Sequence, residues 1–141
     1  IIEYDLTKSD GEYFIQTHST NPLLKSVTID KAIEQFFNNI QKHDSLFSVT
    51  RVQTRFYDKD INPINHNPKE LKRTQDLDPY YEENSNFYIF SKSSFKSSNN
   101  ERIGNKPNFY VMNKIESIDI DDENDFLIAE SLKEKMDQNE S

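Results

Sequence analysis

The chain has 141 residues, a formal net charge of −8, ten Phe and seven Tyr, and no Cys. That length suits one domain, or part of one, with a single modest core, and the aromatic content sets it apart from a disordered chain. The acidic balance disfavours a nucleic-acid backbone or an anionic membrane as partner, the lack of cysteine excludes disulfides and thiolate metal sites, and no apolar run approaches the roughly 18 residues of a spanning helix. A soluble, cytoplasmic protein is the expectation.

In chain order, "EYFIQ" at 12–16 is a short apolar run suited to a buried strand, followed by the polar loop "THSTNP". Thr28 is a plausible N-cap for a helix to about His43, because Ile29, Ala32, Ile33, Phe36, Phe37 and Ile40 repeat with the helical period. "SLFSVTRVQ" at 45–53 reads as a second strand. Strand, helix and strand in so short a span predict a βαβ crossover and a parallel sheet. Residues 54–80 alternate polar turns with short apolar pieces and read as an excursion, a hairpin with an extended arm.

"NFYIF" at 86–90 returns to a strand, "SKSSFKSS" reads as a short helix, and "NFYVM" at 108–112 and "IESIDI" at 115–120 are two further strands. A last helix is expected from Asp122 to Met136, with Phe126, Ala129, Leu132 and Met136 on one face and a frayed polar tail behind it.

Several stretches carry candidate chemistry. If 115–120 is a strand, Asp119 and Asp121 project from one face at its carboxyl end, a placement suited to Mg²⁺ or Mn²⁺ with phosphate oxygens completing the shell. The alternative is that Asp121 or Asp122 caps the following helix. Beyond the first strand, Gln16, Thr17 and Ser19 lie where open α/β sheets bind polar ligands, or else form an ordinary connecting loop. Arg73 can take a carboxylate bidentately and Asn84 can both donate and accept, although both also suit a solvated turn beside core aromatics. His18, His43 and His66 show no zinc spacing, and with only two glycines the chain holds no glycine-rich phosphate loop.

Taken in order, "IQTHSTNPLLKSVTIDKAI", "SLFSVTRVQTRFY", "RTQDLDPYYEENSNFYIF", "RIGNKP" and "KIESIDIDDENDFLIAE" resemble the acylneuraminate cytidylyltransferase family. The resemblance implies a Rossmann-like α/β nucleotidyltransferase domain over 1–141, with a mixed sheet and flanking helices. The activity it implies is transfer of CMP from CTP to a nonulosonic acid such as N-acetylneuraminate, with release of pyrophosphate and a requirement for Mg²⁺ or Mn²⁺. By position, Asp119 and Asp121 match the family's metal-binding, catalytic carboxylates. Gln16 matches a sugar-acid contact, Asn84 and Tyr88 fall where the sugar pocket is lined, and Arg73 corresponds less closely. The excursion at 54–80 matches an arm inserted into a homodimer partner, which gives Arg55 and Phe56 to the neighbouring subunit. The family's basic, glycine-containing CTP loop has no match here, so the resemblance implies a chain that begins after it, near the end of a helix, and is not active alone. Related acceptors are legionaminic, pseudaminic and octulosonic acids. A non-catalytic sugar-acid binding or dimerisation module is the alternative from another class.

Overall fold

A computed structural model describes residues 1–140. Its centre is a four-stranded sheet in the order β1-β3-β2-β4, formed by β1 (Tyr13–Thr17), β2 (Ser45–Val52), β3 (Tyr80–Ser91) and β4 (Pro107–Val111). Around it lie α1 (Ile2–Lys8), α2 (Ser26–Asn38), α3 (Lys92–Ser97) and α4 (Glu123–Glu140). No helix among the described residues is long and apolar enough to cross a membrane.

The sheet is mixed, as the family resemblance implied, and this corrects the parallel sheet expected from the strand–helix–strand spacing alone. β1 and β2 run the same way, but β3 lies between them, antiparallel to both. The adjacent parallel pair is β2 with β4. Hydrophobic periodicity identifies strands without naming their neighbours, and here the crossover through α2 skips one position. β1 is consequently an edge strand, and Tyr13 and Ile15 are partly exposed rather than buried.

β3 supplies both layers of the core because successive side chains leave opposite faces. Phe87 and Ile89 pack with Leu46, Met112 and the Ala32 and Phe36 face of α2. Tyr88 and Phe90 pack on the other side with Leu6 of α1 and Phe95 of α3. The strand is longer than "NFYIF" and starts at Tyr80, its first half being polar and exposed.

Helix boundaries shift for local reasons. α2 begins at Ser26 with Lys25 as N-cap, which places Thr28 inside the helix. The Glu116 carboxylate accepts the Lys25 N–H (3.1 Å) and the Thr28 hydroxyl (2.6 Å), putting an acidic group from a distant loop at the positive end of the helix. α2 closes at Asn38, where the Asn39 side chain donates to the Gln35 carbonyl. α4 continues past Met136 to Glu140, so the tail expected to fray is helical.

The strand expected at 115–120 is absent, and the segment is a turn. The Asn113 side chain accepts the Ile115 N–H, Ser117 N–H donates to the Asn113 carbonyl, and the Ser117 hydroxyl donates to the Lys114 carbonyl. These local bonds compete with a ladder and win. The segment is then tied to the rest by Ile120 N–H donating to the Thr20 carbonyl at 2.9 Å.

Within 54–80 a small hairpin does form, with a bridge between Tyr57 and Pro63. Its tip is stitched by the Asp58 carboxylate, which accepts the Asp60 and Asn62 amides at 2.9 Å each.

Candidate functional site

A cleft of about 520 Å³ opens beyond the carboxyl end of β2, between the first half of β3 and the 114–125 segment. That is the expected ligand position in an open α/β sheet. Its wall contains Asn84, Asp119 and Asp121, three of the residues singled out from the sequence.

The β3 wall is shaped by an irregularity. Phe47 pairs with Tyr88 and Val49 with Glu83, so Ser48 alone faces a bulged stretch of β3. Asn84 stitches this bulge: its side-chain oxygen accepts the Ser48 hydroxyl (2.6 Å) and the Asn86 N–H (3.2 Å). Its Nδ2 donates to Thr50 Oγ1 at 3.0 Å. Ser85, next in the chain, has a φ of 57°, a left-handed backbone that a side chain rarely adopts. Asn84 thus lines the cleft with its amide already bonded within the protein, and the bulged stretch Glu82–Ser85 lines it as well.

Opposite, the two carboxylates are set by a turn and a helix start rather than by strand pleating. Asp119 is half-buried and accepts a long bond from Asn21 Nδ2 (3.4 Å), a residue that is itself buried. The buried Asn21 Oδ1 has no hydrogen-bond partner among the described residues. Capping of α4 falls to its neighbours, since Asp122 Oδ1 accepts the Asp125 N–H (2.9 Å) and Asp125 Oδ2 accepts the Asp121 and Asp122 amides. The Asp121 carboxylate is therefore not the cap and faces the cleft with Asp119. Lys114 is the cation among the lining residues, against the five carboxylates of Glu82, Glu83, Asp119, Asp121 and Asp125. No three acidic or imidazole side chains among the described residues come together as a ready-made cage. The two carboxylates on this wall are oxygen donors of the type that a divalent cation such as Mg²⁺ takes alongside phosphate and water.

A second cluster adjoins this wall. Gln16 and Tyr88 are direct cross-strand partners. Tyr88 is buried, and its hydroxyl donates to Glu83 Oε1 (2.7 Å) and lies 3.1 Å from Ser85 Oγ. Burial first, and then the Glu83 carboxylate, hold its hydroxyl above the ordinary tyrosine range, against the opposing effects of Ser85 and Arg102. The Arg102 guanidinium lies 4.0 Å from the centre of the Tyr88 ring, its Nη1 donates to Gln16 Oε1 at 2.9 Å, and the same nitrogen is 3.4 Å from His18 Nε2. Tyr88 therefore links the Gln16 cluster to the cleft wall through Glu83.

Other sequence candidates lie elsewhere. Thr17 and Ser19 are exposed at and just after the end of β1, outside the cleft lining. Arg73 is exposed just before a single 3₁₀ turn (Thr74–Asp76) and pairs with Asp76 at 3.1 Å. Arg55 donates to the Lys72 carbonyl, and Phe56 packs edge-on against Tyr80 with ring centres 5.7 Å apart. Arg102 was not singled out from the sequence, where only its place in "RIGNKP" marks it. Its position becomes meaningful only once β1 and β3 are seen to pair.

A family model described as cytidylyltransferase matches residues 3–140. Among solved structures, the 4-diphosphocytidyl-2C-methyl-D-erythritol synthase of Anaerococcus prevotii DSM 20548 is similar, with a TM-score of 0.60 and 12% sequence identity. The match covers 94% of this chain and 64% of that one, so the chain spans under two thirds of that enzyme's length. At that identity the likeness shows the fold, a nucleotidyltransferase-like α/β arrangement. No curated protein matches the chain.

Proposed function

The chain belongs to the cytidylyltransferase family, and from that premise we propose that it forms the acceptor and metal side of an enzyme transferring CMP from CTP to a nonulosonic acid such as N-acetylneuraminate, with release of pyrophosphate. The observation that carries the reading is the joining of two groups at one end of the sheet. Asp119 and Asp121 line the cleft, and Tyr88, the cross-strand partner of Gln16, bonds through its hydroxyl to Glu83, another lining residue.

On this reading Gln16 hydrogen-bonds the sugar acid, and Tyr88, fixed at its hydroxyl by Glu83, supplies a rigid flank that orients it. The Asn84 bonds to Ser48, Thr50 and Asn86 brace the bulge of β3 beside the cleft. Asp119 and Asp121 would hold Mg²⁺ or Mn²⁺, which when bound neutralises charge on the triphosphate during attack by the sugar's anomeric hydroxyl on the α-phosphorus. The hairpin at 54–80, with Arg55 and Phe56, is the proposed contact with a second subunit.

The test is a substrate panel. The enzyme that carries this chain is incubated with CTP, Mg²⁺ and, in turn, N-acetylneuraminate, legionaminic, pseudaminic and octulosonic acids and a methylerythritol acceptor, and pyrophosphate is measured. Release with a sugar acid supports the reading. Release with the methylerythritol acceptor alone would replace it, and binding of sugar acid without any release of pyrophosphate would favour a non-catalytic module.

A further inference from the structure

Arg102 occupies an unusual position for a cation in so acidic a chain. With 25 acidic residues against 17 Lys and Arg, a half-buried guanidinium should find a carboxylate readily. Among the described residues it makes none of the ion pairs, which join Lys72 to Glu70, Arg73 to Asp76 and Lys133 to Asp137. Glu83, whose carboxylate meets the same tyrosine, is engaged by the Tyr88 hydroxyl. Arg102 is instead held by neutral groups: its face by Tyr88 and its Nη1 by Gln16 Oε1.

We propose that Arg102, with Gln16, forms the seat for the carboxylate of the acceptor sugar acid. A guanidinium carries five N–H donors in a rigid fork, and here one nitrogen is committed to Gln16 and His18. Its Nε and Nη2 bond nothing among the described residues. Because Gln16 receives Arg102 through its oxygen, its Nε2 is also left as a donor beside the fork. Donors on a guanidinium held over an aromatic ring and tied at one nitrogen match a planar carboxylate bidentately. Partly burying a cation without a carboxylate partner carries a cost, scaled down by its remaining exposure, and an anion arriving there relieves it. The carboxylate is what distinguishes a sugar acid from a neutral sugar, so Arg102 sets acceptor class. This inference rests on the sugar-acid reading given above.

The experiment follows the Gln16 side-chain amide and the Arg102 Nε–H by NMR in the full chain. The probes are N-acetylneuraminate, its neutral methyl ester, and CTP. The acid is expected to shift both signals, and the ester to bind at least roughly tenfold more weakly. Arg102→Met should bind acid and ester alike, and Arg102→Lys should keep part of the preference, a difference that a purely structural role would not produce. If the acid binds without moving these signals, or Arg102→Met keeps the preference for acid, the inference fails while the sugar-acid reading stands. If CTP moves them and no sugar acid does, the seat takes phosphate and the inference fails. Pyrophosphate release with the acceptor panel then decides separately whether the sugar-acid reading falls with it.

Discussion

The Thr28 hydroxyl donates to Glu116 Oε1 at 2.6 Å across 88 residues of sequence, and the same carboxylate oxygen accepts the Lys25 N–H. This pair clamps the start of α2 to the turn that precedes Asp119. Replacing Thr28 with Val keeps the shape and removes the donor. A hydrogen bond to a charged acceptor contributes about 1.5–3 kcal/mol, and Glu116 retains Lys25, so the expected loss is about 1–2 kcal/mol by chemical denaturation. Hydrogen exchange should localise it: the Ile118 and Ile120 amides, bonded to Ile115 and Thr20, should lose protection before those of β3. Uniform loss across the sheet would show that Thr28 acts through the core instead.

Asp119→Asn and Asp121→Asn keep size and remove one charge each from the cleft. If the two carboxylates hold the cation, either change should lower CTP-dependent pyrophosphate release by orders of magnitude in the enzyme that carries this chain, with an unchanged circular dichroism spectrum. Asp122→Asn is the control. Its side chain caps α4, and Asn caps about as well as Asp, so activity should stay near the parent value. Near-normal turnover in both cleft variants would remove the metal role.

Gly104 is required by a close approach. A Cβ there would stand 2.4 Å from Asp44 Oδ1. That carboxylate cannot swing aside freely, because it accepts the Asn105 and Lys106 amides at 2.9 and 3.0 Å and the Ser45 hydroxyl at 3.0 Å. Gly104→Ala should therefore break part of this nest and cost about 2–3 kcal/mol. Asp44→Ala alone should also destabilise, but the double variant should lose less than the sum of the two, since the clash vanishes with the carboxylate. Strict additivity in urea melts would refute the steric account.

How much of this was legible beforehand can be judged residue by residue. The β-branched residues of "SLFSVTRV" identified β2, which is buried on both faces, and the helical repeat from Ile29 to Phe36 identified α2, because one buried helix face leaves a periodic mark. Sheet order left no such mark. The first half of β3 was missed because Glu82, Glu83 and Asn84 are polar, and its ladder with β2 rather than burial keeps it extended. "IESIDI" misled in the opposite direction, its alternating isoleucines mimicking a strand that Asn113 and Ser117 fold into a turn. Asp119 and Asp121 nonetheless reach the same cleft, by a different local geometry. Arg102 was out of reach, since its partners Gln16 and Tyr88 are 86 and 14 positions away.

Tyr88 and Tyr110 are both held above the ordinary tyrosine range, each chiefly by burial. A folded state that keeps these protons longer than the unfolded chain is fully stabilised by them below the unfolded value near 10. It loses that stability as pH rises from there through the folded values. Stability should therefore fall with pH in the alkaline range. Tyr88→Phe should flatten part of that slope, leaving the share due to Tyr110, and should also lose the bonds to Glu83 and Ser85 at every pH. Lys133, raised by its bond to Asp137, acts in the same direction and is separated by Lys133→Gln. A slope unchanged in Tyr88→Phe would mean that the phenol titrates alike in both states.

The hairpin offers a last test. Tyr57, Ile61 and Ile64 are 50%, 80% and 50% exposed, and Phe56 and Ile64 border a groove of about 370 Å³ with Val52 and Tyr80. Apolar groups grouped in this way at one exposed projection mark a contact surface more often than a bare loop. If the arm engages a second subunit, light scattering should give twice the chain mass. Replacing residues 57–63 by a short Gly-Ser link should then return it to the monomer. The cut spares Leu77, which is buried, and the Gln53 bonds to the Gln75 and Leu77 carbonyls that anchor the base of the excursion, so the sheet should keep its melting temperature. Arg55→Glu should weaken the dimer without shortening the arm, provided that Arg55 exchanges the Lys72 carbonyl for an acidic partner across the interface. A dimer that survives the Gly-Ser replacement would assign the association to another face.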